Sequence, residues 1–342
     1  MSIFSLEVIW YLVIIVCMIC YSVLDGFDLG VGALHLFTKK DEERRVFLNA
    51  IGPVWDGNEV WLVVIVGALL AGFPEAYATL LSTFYNLIML FLCGLIFRAV
   101  AIEFRSKMES PIWRKCWDAV FCIASVLIAY GVGVILGNLV EGIPLNENRE
   151  FVGVFADFLT PYTLLLGVTS VALFMMHGAI YLTMKTEGKL QNTLRKWVNR
   201  TIIFFATFYI ISTIVTLFYM PHMIEPIIKH PWLFAVPVAA FFTIVNIPYQ
   251  ISKGNVGWAF ISSCFSISFL LSLFAIGTFP TLIRSSLNPT TNSLFIWDAA
   301  SSPLTLKVLL IIVIIGVPLV IGYSIYIYRL FRGKVKIEKG SY

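Results

Sequence analysis

The sequence predicts an all-α integral membrane protein of about nine transmembrane helices, and three observations carry that expectation. Hydrophobic residues fill 59% of the 342 positions and charged residues only 13%, with a mean hydropathy of +0.89, whereas a soluble domain carries about 25% charged residues. Apolar runs of the length needed to cross the hydrocarbon core as helix, roughly 20 residues, recur from one end of the chain to the other. Charge is sorted along the chain: all but four of the 24 Lys and Arg fall in alternate connections between those runs. The short alternating segments of an outer-membrane barrel are absent.

The first run lies near 6–35. It is too long for a signal peptide, and no small-residue cleavage pattern follows it, so it reads as a retained first helix. The second, near 52–72, opens on Trp55-Asp-Gly-Asn-Glu59, and the third, near 76–102, closes on Glu103. The fourth and fifth lie near 117–140 and 159–184, the sixth to eighth near 201–220, 232–251 and 256–280, and the ninth near 304–331. No linker, composition break or low-complexity segment divides them, so residues 1–342 read as one transmembrane domain. Trp-Asp recurs at 55–56, 117–118 and 297–298, each time at or just ahead of an apolar run. Asp suits a helix cap there and Trp the interfacial belt. Gly26-x-x-x-Gly30 and Gly133-x-x-x-Gly137 put small residues on one helical face, as close helix packing requires.

Basic residues cluster in 36–51, 98–115, 185–200 and 329–339, with Lys253 between the seventh and eighth runs. Arg149, Lys229, Arg284 and Lys307 remain, at the opposite helix ends. Basic loops stay cytoplasmic, so the N-terminus is expected outside and the C-terminus inside, as nine spans require. The net charge of +4 is confined to loops and leaves no nucleic-acid footprint. Cys17-Met-Ile-Cys20 has CxxC spacing but lies mid-membrane without a second ligand pair, which favours packing over metal or redox chemistry.

Five carboxylates stand out. Asp25 and Asp28 share one face near the end of the first run, and Asp56 and Glu59 repeat that spacing at the start of the second. At about 1.5 Å per residue, Asp28 lies roughly 10 Å and Asp56 roughly 6 Å deep. Glu103 sits at the same side of the membrane. An ionisable group at such depth costs a few kcal/mol and marks a functional site by default, and a carboxyl in low dielectric resists ionisation, which lets it trade protons near neutral pH. Bound water linking the five would make a proton path. Asp56 and Glu59 also suit the positive end of a helix dipole, whereas Asp25 and Asp28 do not, so an ion pair or hydrogen bond is their structural alternative. Glu103 lies near Arg98 and Arg105 in sequence, and Arg98 could snorkel or hold an anionic group. His35 and His177 both fall near basic helix ends, which leaves a bis-histidine haem open beside a role as hydrogen-bonded filler. No Walker loop, GxGxxG fingerprint, zinc spacing or hydrolase triad is present.

The stretches Asp25-Gly-Phe-Asp-Leu-Gly-Val-Gly32, Gly52-Pro-Val-Trp-Asp-Gly-Asn-Glu-Val-Trp-Leu62 and 97–107 resemble subunit II of cytochrome bd-type quinol oxidases. So do 137–144 and 297–306, which carries the likeness from the first run to the last. The resemblance implies a complex that oxidises quinol and reduces oxygen to water in the bacterial cytoplasmic membrane. Its subunit I would hold the quinol site, two haems b and one haem d. Subunit II would have two four-helix bundles plus one peripheral helix, supply no haem ligands, and admit protons from the cytoplasm. Membrane lipid and quinol are further expected partners, with room for a small single-helix accessory subunit and, as in some members, a structural quinone. Asp56 matches the aspartate of the family's Trp-Asp-Gly-Asn motif, and Glu103 matches an acidic position that is aspartate in a described member. The other class of reading is a stand-alone proton-coupled membrane transporter, which also needs intramembrane carboxylates. The gathering of carboxylates near one side favours a one-sided proton inlet over the midplane sites of transporters.

Overall fold

The computed structural model describes residues 5–337; positions 1–4 and 338–342 of the expected domain, with Lys339 of the basic tail, lie outside the described residues. Twelve α-helices are present among them: α1 Leu6–Leu34, α2 Asp41–Ile51, α3 Trp55–Gly72, α4 Pro74–Thr83, α5 Tyr85–Phe104, α6 Pro111–Glu141, α7 Pro161–Lys185, α8 Gly188–Tyr219, α9 Glu225–Lys229, α10 Ala235–Ser252, α11 Val256–Thr278 and α12 Pro303–Leu330. Nine of these are long and apolar enough to span a membrane, as the sequence predicts. The helices α1, α3, α5 and α6 pack as one bundle, and α7, α8, α10 and α11 as a second. The ninth spanning helix, α12, leans on α3 and α1 and buries only Leu306 among its described residues.

The two bundles join where glycine lets backbones touch. A Cβ on Gly30 of α1 would collide with the Phe174 carbonyl and the Gly178 amide of α7, and one on Gly133 or Gly137 of α6 would strike α7 backbone at Leu166 or Thr163. Both small-residue motifs therefore serve packing. Cys17 does too, since it lies buried in an apolar cluster with Tyr21 and Trp61.

Four sequence expectations need correction. The run near 76–102 is not one helix, because the chain leaves helical geometry at Phe84, whose buried ring packs 5.0 Å from that of Phe158. The basic connection after α1 contains α2, an amphipathic helix that buries Phe47, Leu48, Ala50 and Ile51 and leaves its charged first turn exposed. The helices α6 and α8 begin six and thirteen residues before their apolar runs, because helical hydrogen bonding continues into the polar boundary where hydropathy is blind. Asp118 and Asp298 do not cap helices. Ser110, Thr160 and Ser302 do, each accepting from the amide three residues on: Trp113, Thr163 and Thr305.

At the end opposite the basic connections, the chain folds over the first bundle. Strand β1 (Thr281–Ile283) pairs antiparallel with β2 (Leu294–Phe295), and the Ile143 amide donates to the Arg284 carbonyl at 2.9 Å. Trp10 Nε1 donates to the Leu306 carbonyl at 3.0 Å and so ties α12 to the start of α1.

Candidate functional site

Helix α1 brings Asp25 and Asp28 to the basic half of the first bundle, and both carboxylates are buried, at 0% and 1% exposure. Their neighbours differ. Arg98, from the middle of α5, places Nη2 2.8 Å from Asp25 Oδ1 and 2.8 Å from Glu59 Oε2 of α3. Asp28 instead accepts a 2.7 Å hydrogen bond from Asn58 Nδ2, which also donates to the Leu24 carbonyl at 3.2 Å. Tyr328 of α12 donates to Asn58 Oδ1 at 2.8 Å, so a polar chain runs from the end of α12 through α3 to Asp28. The ion-pair alternative raised for the Asp25–Asp28 face thus falls on Asp25 alone.

Glu59 and Asp56 stand in the first turns of α3 but face different ways. Glu59 turns toward Arg98 with its side chain 21% exposed, and Asp56 is exposed on the outer surface of the bundle. Glu103 is half-buried in the last turn of α5, five residues or roughly 7 Å along the axis from Arg98. The structure therefore gathers Asp25, Asp28 and Glu59 around Arg98, sets Asp56 at the rim and Glu103 further along α5. Arg98 does not snorkel, since it is buried at 1% exposure. Its Nε and Nη1 and Asp28 Oδ1 are buried without a hydrogen-bond partner among the described residues. Buried polar atoms of that kind are rare unless water or a ligand meets them.

A second cluster escapes the sequence reading. Asp118 of α6 is 1% exposed and receives Arg105 Nε at 2.5 Å and Arg44 Nη1 at 2.8 Å, while His35 Nε2 lies 2.6 Å from its Oδ1. Arg105 also reaches Asp41 at 2.6 Å, and Asp41 meets Arg114 at 3.0 Å. The hub ties the basic end of α1 to α2, the end of α5 and the start of α6. The one sequence signal was the density of Arg and Asp around four neighbouring helix ends.

The two histidines weighed as a haem pair, His35 and His177, each hold protein partners. His177 donates Nε2–H to the Val23 carbonyl at 2.9 Å and holds Nδ1 2.7 Å from Ser263 Oγ, so both nitrogens are committed to protein. The His35 ring is buried between Phe47 and Phe121 with Nε2 on Asp118. Among the described residues no group of three or more His, Cys, Asp or Glu is placed to hold a metal ion.

Residues 6–331 match the family model for cytochrome bd terminal oxidase subunit II. The chain belongs to that family. Two curated relatives agree: the cytochrome bd-I ubiquinol oxidase subunit 2 of Escherichia coli K12 is 34% identical, with 97% of this chain and 96% of that protein covered. The cytochrome bd ubiquinol oxidase subunit 2 of Bacillus subtilis 168 is 33% identical, with 97% of each chain covered. Among solved structures, bd oxidase from Geobacillus thermodenitrificans matches with a TM-score of 0.79 over 95% of this chain and 98% of its own, at 20% identity, which speaks for the fold. As a subunit II, the chain is a multi-pass membrane component of a quinol oxidase, an oxidoreductase of aerobic respiration. Membership implies a partner subunit I and haem in the complex, and it replaces the stand-alone transporter reading.

Proposed function

We propose that this subunit II carries protons from the side of the basic loops toward the haem-bearing subunit I, and scaffolds that subunit. The observation that supports the path is the fall in exposure along a row of carboxylates: Asp56 exposed, Glu59 at 21%, Asp25 at 0% and Asp28 at 1%, gathered about Arg98. In this reading Asp56 is the inlet, Glu59 receives from it, and Asp25 and Asp28 form the inner station. Arg98 keeps the inner charge balanced, and Glu103 lies further along α5 on the same side. The partnerless atoms of Arg98 and Asp28 offer sites for the bound water that a relay between separated carboxyls requires. Basic loops stay cytoplasmic, so the inlet opens on the cytoplasm of a bacterial cell membrane, with the N-terminus on the other side.

The scaffold half rests on the outer faces of α3, α5 and α12. These are apolar and exposed, with Val60, Val63, Ile96 and Ile314 among their side chains, yet α3 also exposes Asp56 there. A carboxylate is ill suited to lipid, and a protein subunit able to hydrogen-bond it is the better cover. Two haems b and one haem d belong to subunit I in this reading, and His35 and His177 of this chain hold protein partners instead.

Two measurements test it. Optical spectra should show haem in the natively purified complex and none in this chain expressed alone. In vesicles holding the assembled complex, Glu59→Gln should slow proton uptake from the basic-loop side during turnover. Unchanged uptake with full haem content rejects the path.

A further inference from the structure

A cavity of about 540 Å³ opens at the end of the molecule opposite the basic loops. It shares no residue with the carboxylate cluster. Its walls are apolar, from Val8 and Leu12 of α1, Leu139 of α6 and Ile276 of α11, while its rim carries His222, Glu225, Lys229, His230 and Arg284. The apolar wall continues outward along the lipid-facing surface: Leu12 and Val16, one turn apart on α1, are 52% and 54% exposed. Trp232 and Phe234, flanking the wall residue Leu233, are exposed as interfacial aromatics are.

The charges on the rim are not balanced. Of the basic residues at this end, Arg149 is held by Glu75 at 3.0 Å and Asp298 at 3.3 Å, and Lys229 by Glu225 at 3.2 Å. Arg284 has no carboxylate within ion-pair distance among the described residues, and the acid that acts on it, Glu225, is committed to Lys229. His222 donates Nε2–H to the Val140 carbonyl at 3.0 Å. Burial, and then the nearby Arg284 charge, hold its pKa below the ordinary histidine value. A half-buried guanidinium and a repelled imidazole thus share the mouth of a greasy cavity.

A molecule anionic at one end and aliphatic below it complements both halves. We propose that this cavity binds one anionic phospholipid from the leaflet on the α1 N-terminal side, with its phosphate at Arg284 and an acyl chain along Leu12 and Val16. A zwitterionic headgroup fits less well, because its ammonium would meet Arg284 and find Glu225 already paired. A free phosphate would leave the apolar wall uncovered.

The test uses the detergent-purified complex containing this chain, exchanged into phosphatidylcholine vesicles with a trace of phosphatidylglycerol bearing a photoreactive acyl chain. Crosslinked peptides are then mapped. Label should concentrate in 8–16 and 276–284, and excess phosphatidylglycerol should remove it while excess phosphatidylcholine or inorganic phosphate should not. Arg284→Gln should lower this labelling about ten-fold, equivalent to 1.4 kcal/mol and in range for one charge-assisted hydrogen bond. Label spread evenly around the apolar surface overturns the proposal, as does equal competition by phosphatidylcholine or displacement by inorganic phosphate. The unmodified complex alone decides those outcomes, so poor assembly of the variant cannot shelter the idea. None of them depends on the proton path.

Discussion

Arg98 and Asp25 meet at 2.8 Å with side chains 1% and 0% exposed, so a full ion pair is buried inside a membrane-spanning bundle. The same Arg98 nitrogen reaches Glu59, which makes α5 the element that holds α1 and α3 in register at the level of the carboxylates. A pair of this kind contributes little net stability while both charges remain, and much is lost when one is removed.

Arg98→Met should therefore destabilise the complex by about 3–5 kcal/mol, because Asp25 is left charged and buried. Adding Asp25→Asn should restore part of that loss, since the stranded charge is gone. Thermal melting of the purified complexes is the measurement. A single variant that melts like the parent would show that the pair does not hold the bundle.

Asp56→Asn should slow steady-state quinol oxidation ten-fold or more, equivalent to about 1.4 kcal/mol on the barrier. Haem content should stay near the parent's, because the inlet is exposed and touches no haem-binding group of this chain. Normal turnover in a fully assembled variant removes Asp56 from the path.

For Asp28 the structure sharpens the choice between relay and support. Asn58, not a cation, is its hydrogen-bond partner, so Asp28→Asn strands no charge, and assembly and melting should hold. Turnover per haem should fall if Asp28 passes protons. An unchanged value per haem would leave it a purely structural acceptor.

Asp118→Asn is expected to behave the other way. It removes the buried carboxylate that Arg44, Arg105 and His35 share, leaving Arg105 only Asp41, and should lower stability by about 3–5 kcal/mol, with turnover per assembled haem unchanged. Reduced turnover at normal melting temperature would instead draw the hub into the reaction.

Orientation has its own check. Cytoplasmic reporters fused after Lys40, Lys107 and Lys196 should be active, and those after Asn148 and Asn288 inactive. Opposite activity at any two positions overturns the arrangement.

The nine spans were legible because crossing a bilayer demands a long apolar run, and nothing else in this sequence mimics one. What hydropathy could not see was structure made by polar chain. The eleven residues of α2 open on three acids and two arginines ahead of four buried apolar positions, which reads as a loop in any wide hydropathy window. The break at Phe84 lacks both Gly and Pro and is set by a ring contact to Phe158, 74 residues away. The carboxylates were legible one by one because charge at membrane depth is conspicuous. Their partners were not: Asn58 is neutral, Tyr328 looks like an interfacial aromatic, and Arg98 could equally have snorkelled. Only the fold says that Arg98 belongs to Asp25 and Glu59, while Asp118 takes His35, Arg44 and Arg105.

The hub around Asp118 bears on the order in which the molecule is made. Its members are His35, Asp41, Arg44, Arg105, Arg114 and Asp118, and all precede α7 in the chain. Domains assemble N-terminal part first as synthesis proceeds. The first bundle can thus latch its helix ends on the side of the basic connections while the second is still unmade. Gly30 and Gly133, on α1 and α6, are then already set as a smooth flank against which α7 can be laid down.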